Sequence, residues 1–332
     1  MKKILFWFLK AGIAVAIAFV LMSLFCYFYY NLPVHHKETS GATDYNWDKN
    51  TFCSRGTEGF AYQFTDENGY VNTYPKKSDQ IDVLVMGSSH TEGFNVNYDE
   101  NYTYVLNDLF QKGGQDLYAY SIATSSHALV RNLRNLENAL DQFQPTKYVV
   151  IETASLDIPT EDVEKLVNGK LEFLDSSNSG LLGTLQKSDV LRLMYYQMSQ
   201  MSINKTRSDK PLRDDAAFEI ALDQALERAG SAARAKNCQL ILTYLSLVEY
   251  DYNGILSDAT DPKSKELFQK LCDKHGIIFL DMYPAYEEMY RTTNHLPRGF
   301  SNTTPGEGHT NKYGHACIAQ TLYEYIAKGD LK

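Results

Sequence analysis

The longest uninterrupted apolar run lies at the N-terminus. Positions 11–30 contain no charged residue, and Lys2, Lys3 and Lys10 come before them. Twenty helical residues extend about 30 Å, which is enough to cross a bilayer once. Lysines before the run and tyrosines at its end predict a single-pass anchor with residues 1–10 in the cytoplasm and the C-terminal part outside. A cleaved signal peptide is the alternative, although the run is long for one.

Beyond this predicted transmembrane segment, short apolar runs alternate with helical patterns. Residues 31–56 are rich in polar residues and predict a solvated stalk. Five β-branched runs typical of buried strands follow, at 82–87, 117–122, 147–152, 239–245 and 277–281. Apolar positions between them recur with helical spacing, most clearly from Leu129 to Phe143 and from Phe218 to Ala232. This order predicts an α/β domain over 57–332 with three layers: a doubly wound, flavodoxin-like, five-stranded parallel sheet between helices.

One segment interrupts the alternation. Residues 158–212, between the third and fourth predicted strands, have no strand pattern and predict a helical insertion that serves as a lid or partner surface. It contains a Gly-, Ser-, Asn- and Asp-rich stretch at 175–183 and a Met- and Tyr-rich helix at about 189–203. The apolar stripe of that helix either packs in the core or faces lipid or a hydrophobic partner. The stripe consists of Leu191, Met194, Tyr195, Met198 and Met201.

Composition then narrows the possible functions. The chain has 32 Lys and Arg against 41 Asp and Glu, a net charge of -9, so it lacks the basic surface that nucleic-acid binding requires. A mean hydropathy of -0.36 excludes a polytopic membrane protein. Outside the anchor, four cysteines without C-x-x-C spacing predict neither a disulfide scaffold nor a metal site, and Cys238 and Cys317 are expected to be buried thiols. We expect no cofactor.

Two polar motifs are predicted to meet at the carboxyl edge of the sheet. Gly87-Ser88-Ser89 follows the first strand and precedes a helix, where free backbone N–H groups stabilise an oxyanion. His309 lies in a Gly-rich loop before the last helix, and this loop should return to the same edge. The two motifs together predict a serine nucleophile, Ser89, with a histidine base. A helix cap and a structural histidine are the alternatives.

These motifs resemble those of the SGNH/GDSL hydrolase superfamily. Residues 87–93 (GSSHTEG) are similar to its first block, G-D-S-x-T-x-G, with Ser89 at the nucleophile position and Ser88 where Asp usually stands. Residues 309–315 (HTNKYGH) are similar to its last block, H-x-N-x-x-G-H, with His309 at the position of the general base. The resemblance implies the three-layer fold and ester chemistry of this superfamily.

The resemblance covers about residues 60 to 327, including a lead-in at 66–72 (DENGYVN) that is similar to the D-x-x-G-F/Y-x-N of extracytoplasmic members. The sequence departs from the family pattern at the acidic residue that accompanies the histidine in the catalytic triad of this superfamily. That acid usually lies three residues before the histidine, where this chain has a glycine. Glu307, with a spacing similar to that in alginate-type acetyltransferases, is the implied acid, and Asp281 is an alternative. A Ser-His dyad would also suffice.

The resemblance further implies an altered oxyanion hole. Its donors would be the backbone N–H groups of Ser89 and Ala123, because the family's asparagine has no equivalent here. Further candidates for oxyanion or substrate binding are Ser88, Ser121, Thr124 and Ser155.

The predicted function is therefore that of a membrane-anchored, extracytoplasmic serine esterase or O-acyltransferase acting on cell-envelope glycan or polymer esters. Similar anchored proteins, the accessory proteins of cell-wall D-alanylation and the alginate acetyltransferases, imply a polytopic membrane acyltransferase as partner. A degenerate domain that binds glycan or scaffolds an envelope complex is the alternative. A metal site of His309, His315 and Glu307 is a third hypothesis. Helical geometry argues against it, because His315 is six residues after His309 and would face away from it in the expected helix.

Overall fold

The structure is a computed structural model that begins with one long helix. The described residues are 2–37, 41–76, 80–172, 188–203, 215–251 and 254–329. Helix α1 (Lys2–Tyr29) is exposed along most of its length. An 18-residue stretch within its segment Lys3–Tyr29 has a mean hydropathy of 2.4, so this helix is long and apolar enough to cross a membrane. A signal sequence near the N-terminus can meet the same criteria of length and composition.

A group of short strands follows α1. They are β1 (Tyr30–Asn31), β2 (His35–Lys37), β3 (Tyr45–Trp47), β4 (Phe52–Arg55) and β5 (Ala61–Phe64). Strands β1, β4 and β5 form one antiparallel sheet, and β2 pairs antiparallel with β3. The N-terminal part of the chain is therefore folded up to the start of the larger domain.

The larger domain alternates strands and helices. In chain order these are β6 (Val83–Met86), α2 (Ser89–Glu92), α3 (Tyr102–Lys112), β7 (Ala119–Ser121), α4 (Leu129–Phe143), β8 (Tyr148–Thr153), α5 (Thr160–Val167), α6 (Asp189–Ile203), α7 (Asp215–Ala235), β9 (Gln239–Tyr244), β10 (Val248–Tyr250), β11 (Leu256–Asp258), α8 (Pro262–Lys274), β12 (Ile278–Asp281), α9 (Tyr283–Thr293) and α10 (Lys312–Lys328). Strands β10 and β11 pair antiparallel as a small separate hairpin.

The central sheet has five parallel strands in the order β12-β9-β8-β6-β7. In chain order this is 2-1-3-4-5, the doubly wound, flavodoxin-like order, so the predicted fold class is confirmed. The order reverses between β6 and β8, and ligands of such sheets bind at the carboxyl ends of the strands near this point. Ser89 follows β6 there.

Helices cover both faces of the sheet because its strands are apolar on both sides. Leu84 and Met86 of β6 pack with α4, α5, α7 and α8, whereas Val83 and Val85 pack with α3, α9 and α10. This alternation follows from the two-residue period of a strand. Cys238 is a buried free thiol, as predicted, whereas the free thiol Cys317 is only partly buried.

The prediction of a solvated stalk at 31–56 is wrong. Trp47 and Cys53 are buried and form a small core with Val71 and Phe94 of the larger domain. The polar residues that suggested a linker are paired with the domain instead. The fully buried Asp44 accepts hydrogen bonds from Arg131, at 3.1 Å, and from Arg134, both on α4.

The predicted Met- and Tyr-rich helix is observed as α6, but its apolar stripe is not in the core. Leu191, Met194, Tyr195 and Met198 are exposed. Helix α6 contacts α1 and β1 rather than the main sheet. The stretch at 175–183 and the side chain of Met201 lie outside the described residues.

Candidate active site

The two predicted motif residues meet at the carboxyl edge of the sheet. Ser89 begins α2, two residues after the glycine that follows β6, and His309 lies three residues before α10. The Nε2 atom of His309 is 2.9 Å from Oγ of Ser89. This distance places the imidazole within reach of the hydroxyl proton. Both side chains are partly exposed, so a substrate can approach them.

The other ring nitrogen of His309 contacts Glu58. The distance from Nδ1 to Oε2 of Glu58 is 2.6 Å, and Oε1 accepts the backbone N–H of His309 at 2.7 Å. Glu58 lies in the loop between β4 and β5. A carboxylate that accepts Nδ1–H leaves Nε2 free to accept a proton and stabilises the imidazolium that results.

Glu58 is ionised at neutral pH. Its partial burial raises the pKa, but the hydrogen bonds and charge of His309 lower it, and the guanidinium of Arg55, 3.9 Å away, lowers it further. The net effect is a pKa below the ordinary value. Glu58, His309 and Ser89 therefore form a continuous carboxylate–imidazole–hydroxyl chain.

The prediction of Glu307 or Asp281 as the carboxylate beside His309 is wrong. The side chain of Glu307 is exposed in its loop, where its backbone N–H donates to Thr304. Asp281 pairs with Lys265 at 2.5 Å in a different cluster. Glu58 was missed because it is 251 residues from His309 and precedes the stretch that resembles the superfamily. The available signal was weak, since it consisted of one Glu in a Gly-flanked loop, GTEG.

The predicted oxyanion groups differ in their availability. Backbone N–H of Ala123 donates to Oγ of Ser121 at 3.2 Å, and Oγ1 of Thr124 donates to a backbone carbonyl. Ser155 exchanges hydrogen bonds with the backbone of Asp157. Among the described residues, the backbone N–H of Ser89 has no hydrogen-bond partner. It is therefore the predicted donor that is free to bind an oxyanion.

The remaining candidate, Ser88, is held by a carboxylate that the sequence reasoning missed. Glu152, buried at the end of β8, accepts the backbone N–H of Ser88 at 2.7 Å and its hydroxyl at 2.8 Å. It also accepts from the hydroxyl of Thr91 at 3.0 Å. Burial raises the pKa of Glu152 despite these hydrogen bonds. Glu152 thus fixes the turn that carries Ser89, and its signal in the sequence was a single acidic residue in an apolar strand.

A second histidine also supports the site. The Nδ1 atom of His90 lies 3.0 Å from the hydroxyl of Thr310, and its ring is 5.0 Å from that of His309. Burial, together with the nearby charge of Arg298, lowers the pKa of His90 well below its ordinary value. His90 is therefore neutral and orients the loop that carries His309.

The hypothesis of a metal site receives no support from the geometry. His315 accepts the backbone N–H of Tyr102 through Nδ1 at 3.1 Å, and burial lowers its pKa to about 3. It is a neutral, buried histidine that ties α10 to α3. Within the described part of the chain, no three His, Cys, Asp or Glu side chains are grouped to hold a metal ion.

Comparison with known proteins yields solved structures but no matching sequences. No family model and no curated protein matches the chain. Similar structures include a psychrotrophic esterase from Pseudoalteromonas sp., with 14% identity over 74% of this chain and 97% of the other and a TM-score of 0.38. A GDSL-like lipase from Bacteroides thetaiotaomicron has 15% identity over 78% and 93%, with a TM-score of 0.38.

A third similar structure is the periplasmic domain of a lipopolysaccharide acetyltransferase from Salmonella ser. Paratyphi A. Its identity is 12% over 76% of this chain and 84% of the other, and its TM-score is 0.40. At such identities and scores the function has to be inferred from the geometry of the site. In its motifs and its strand order, the chain resembles the SGNH/GDSL hydrolases.

Proposed function

We propose that this chain is a membrane-anchored serine esterase or O-acyltransferase in which Ser89 is the nucleophile, His309 the general base and Glu58 the residue that positions His309. The observation that carries the proposal is the chain of two hydrogen-bond distances, 2.9 Å from Ser89 to His309 and 2.6 Å from His309 to Glu58. The same order of hydroxyl, imidazole and carboxylate activates serine in unrelated hydrolase folds.

The first half of the reaction forms an acyl-enzyme. Oγ of Ser89 attacks the carbonyl carbon of an ester, and its proton passes to Nε2 of His309. Glu58 stabilises the resulting imidazolium, and the free N–H of Ser89 binds the oxyanion. When the tetrahedral intermediate collapses, the ester C–O bond breaks and the leaving alcohol takes the proton from Nε2. Ser89 is then acylated and His309 is neutral again.

The second half of the reaction decides between hydrolysis and transfer. A hydroxyl of water or of a polymer gives its proton to Nε2 of His309 and attacks the acyl carbonyl. Collapse returns the proton to Oγ of Ser89 and releases a carboxylic acid or a new ester. Transfer requires the acceptor to reach Nε2 before water, and the partly exposed site is compatible with a large acceptor such as a glycan.

The cellular setting belongs to the same proposal. Apolar helix α1 supports anchoring, and the lysines before it support an N-terminus in the cytoplasm and a domain outside. A site in that place would act on esters of the cell envelope, alone or beside a polytopic membrane acyltransferase. The net charge of -9 supports a non-nucleic-acid substrate.

The proposal is tested by trapping the acyl-enzyme. Full-length protein in detergent micelles is incubated with activated esters that carry acetyl or longer acyl groups, and intact mass is recorded after rapid acid quench. We expect one added acyl group on the wild type and none on Ser89→Ala, with slower acylation of His309→Ala. A folded wild type that acquires no acyl group from any donor would instead support the alternative of a binding or scaffold domain.

A further inference from the structure

The exposed face of α6 is unusual among the helices of this chain outside α1. Leu191, Met194, Tyr195 and Met198 are exposed by 39%, 55%, 46% and 68%. Their spacing of three and four residues places them on one side of the helix, about a third of its circumference. Large apolar side chains gathered on one exposed face mark a surface that binds another apolar surface. We call these four residues the α6 apolar face.

The opposite side of α6 faces the end of the anchor. The ring of Tyr196 lies 4.8 Å from that of Tyr30, and Nη1 of Arg192 donates to the carbonyl of Leu32 at 2.5 Å. On α1, Cys26 is buried although its neighbours Phe25 and Tyr27 are exposed. Helix α6 therefore contacts α1 close to its C-terminal turns.

This contact sets the depth of α6 relative to a membrane. The last apolar turn of α1, from Cys26 to Tyr29, rises about 1.5 Å per residue and ends in tyrosines of the kind found at bilayer surfaces. A helix that packs beside this turn lies at the same level, at the boundary between headgroups and acyl chains. Amphipathic helices commonly insert their apolar faces about 5–10 Å into that boundary.

We propose that the α6 apolar face rests in the outer surface of the bilayer that α1 spans. The inference depends on the anchoring in the proposed function, because a cleaved α1 would leave α6 without this neighbour. Lipid is favoured over a protein partner because α6 contacts α1, the helix that would be surrounded by lipid if it spans the bilayer.

Docking of α6 on the bilayer also places one side of the candidate active site near the membrane. The backbone N–H of Gly56 donates to the carbonyl of Tyr29 at 2.6 Å, so the loop that carries Glu58 starts at the end of α1. Glu58, which contacts His309, lies two residues after Gly56. With α1 and α6 both held at the membrane, the Glu58 side of the site is held close to the bilayer surface.

The experiment uses quenching of tryptophan fluorescence by brominated lipids. The full chain, with Trp7 replaced by Phe and with the added substitution Met198→Trp, is reconstituted in phosphatidylcholine vesicles with plain or brominated acyl chains. The buried Trp47 is retained in every variant as an internal background. We expect Met198→Trp to lose most of its added emission in brominated vesicles. The matched control is Ile220→Trp, an exposed apolar position on α7, whose emission should be unchanged.

Two further samples make the result decisive. The chain that keeps Trp7 reports whether α1 is in the bilayer, since Trp7 is exposed on α1. Quenching of Trp7 without quenching of Met198→Trp overturns the proposal and leaves a protein partner as the occupant of the face. Equal quenching of Met198→Trp and Ile220→Trp also overturns it, because contact with lipid is then not specific to α6. Acylation of Ser89 in the same vesicles reports the proposed function separately.

Discussion

At the scale of single residues, the proposed activation of Ser89 depends on Glu58, which positions His309. The sequence identified Ser89 and His309, because each lies in a motif whose position relative to a strand or helix is readable. It did not identify the carboxylate, since Glu58 reaches His309 from a separate antiparallel sheet. Long-range contacts of this kind leave no periodicity in a sequence. Exposed Glu307 was nearer in the chain but not in space.

Replacement of Glu58 tests its role as the positioning residue. Glu58→Gln keeps the shape of the side chain but removes the charge that stabilises the imidazolium. By analogy with triads in which this partner has been replaced, we expect kcat to fall about 10²- to 10⁴-fold. KM should change little, because Glu58 does not contact the acyl group. Steady-state kinetics on an activated ester measures both values.

The matched control for Glu58 is Glu307→Gln, which removes an exposed carboxylate two residues from His309. Its kcat should equal that of the wild type. If Glu307→Gln loses activity and Glu58→Gln keeps it, the assignment of the acid is reversed.

At the scale of elements, the sequence predicted the main sheet well. Each of the five predicted runs matches a central strand to within two residues at either end, because a strand buried on both faces is a continuous apolar run. Helices α4 and α7 were found from their apolar stripes. The short strands at 30–64 were missed because each has only two to four residues, too few to show an alternating pattern, and polar residues are mixed into them.

The turn between β6 and α2 carries Ser89, the proposed nucleophile, and tolerates little added volume. A Cβ atom at Gly87 would lie 2.4 Å from Oγ1 of Thr91 and 2.8 Å from Oε2 of Glu152. We expect Gly87→Ala to cost about 1–3 kcal/mol of unfolding free energy. Because the shift moves Ser89, acylation of the folded protein should also slow strongly. Urea unfolding and the rate of acylation provide the two measurements.

The control for this turn is Gly114→Ala, in the loop after α3. Gly114 has a positive φ of 69° and open space around its Cβ position, so alanine there is strained without touching the site. It should lower stability by a similar amount and leave acylation unchanged. Equal acylation rates for Gly87→Ala and Gly114→Ala would show that the turn is not critical.

At the scale of the whole molecule, the N-terminal strands connect helix α1 to the larger domain. Trp47 of β3 donates its indole N–H to Oε1 of Glu92 on α2 at 2.5 Å, and Ser125 donates to the other oxygen. Buried Glu92 therefore joins the N-terminal part, the nucleophile helix and the loop after β7. These hydrogen bonds hold β3 and the loop after β7 against α2.

This link predicts a pH-dependent stability. Burial raises the pKa of Glu92 from 4.5 to about 7, although the hydrogen bonds from Ser125 and Trp47 lower it in part. Between pH 4.5 and 7, Glu92 therefore binds more protons in the folded state than in the unfolded state. Protonated Glu92 stabilises the folded state at low pH, and this stabilisation is lost as pH rises through 7. From pH 5 to 8, we expect the wild type to lose about 2–3 kcal/mol relative to Glu92→Gln.

Unfolding in urea at pH 5, 6, 7 and 8 measures this difference for the two proteins in the same detergent. Glu92→Gln keeps the size of the side chain and cannot titrate, so titration of all other groups is common to both. A difference in unfolding free energy that stays constant from pH 5 to 8 would contradict the raised pKa.

The central claim is that Ser89 is a nucleophile activated by His309, and a fluorophosphonate probe tests it most directly. The wild-type protein should form one covalent adduct, which peptide mass spectrometry places on Ser89. Ser89→Ala should form none, and His309→Ala should react much more slowly, because the proton of the hydroxyl then has no acceptor. Absence of an adduct on folded wild type, or an adduct that persists on Ser89→Ala, would contradict the account.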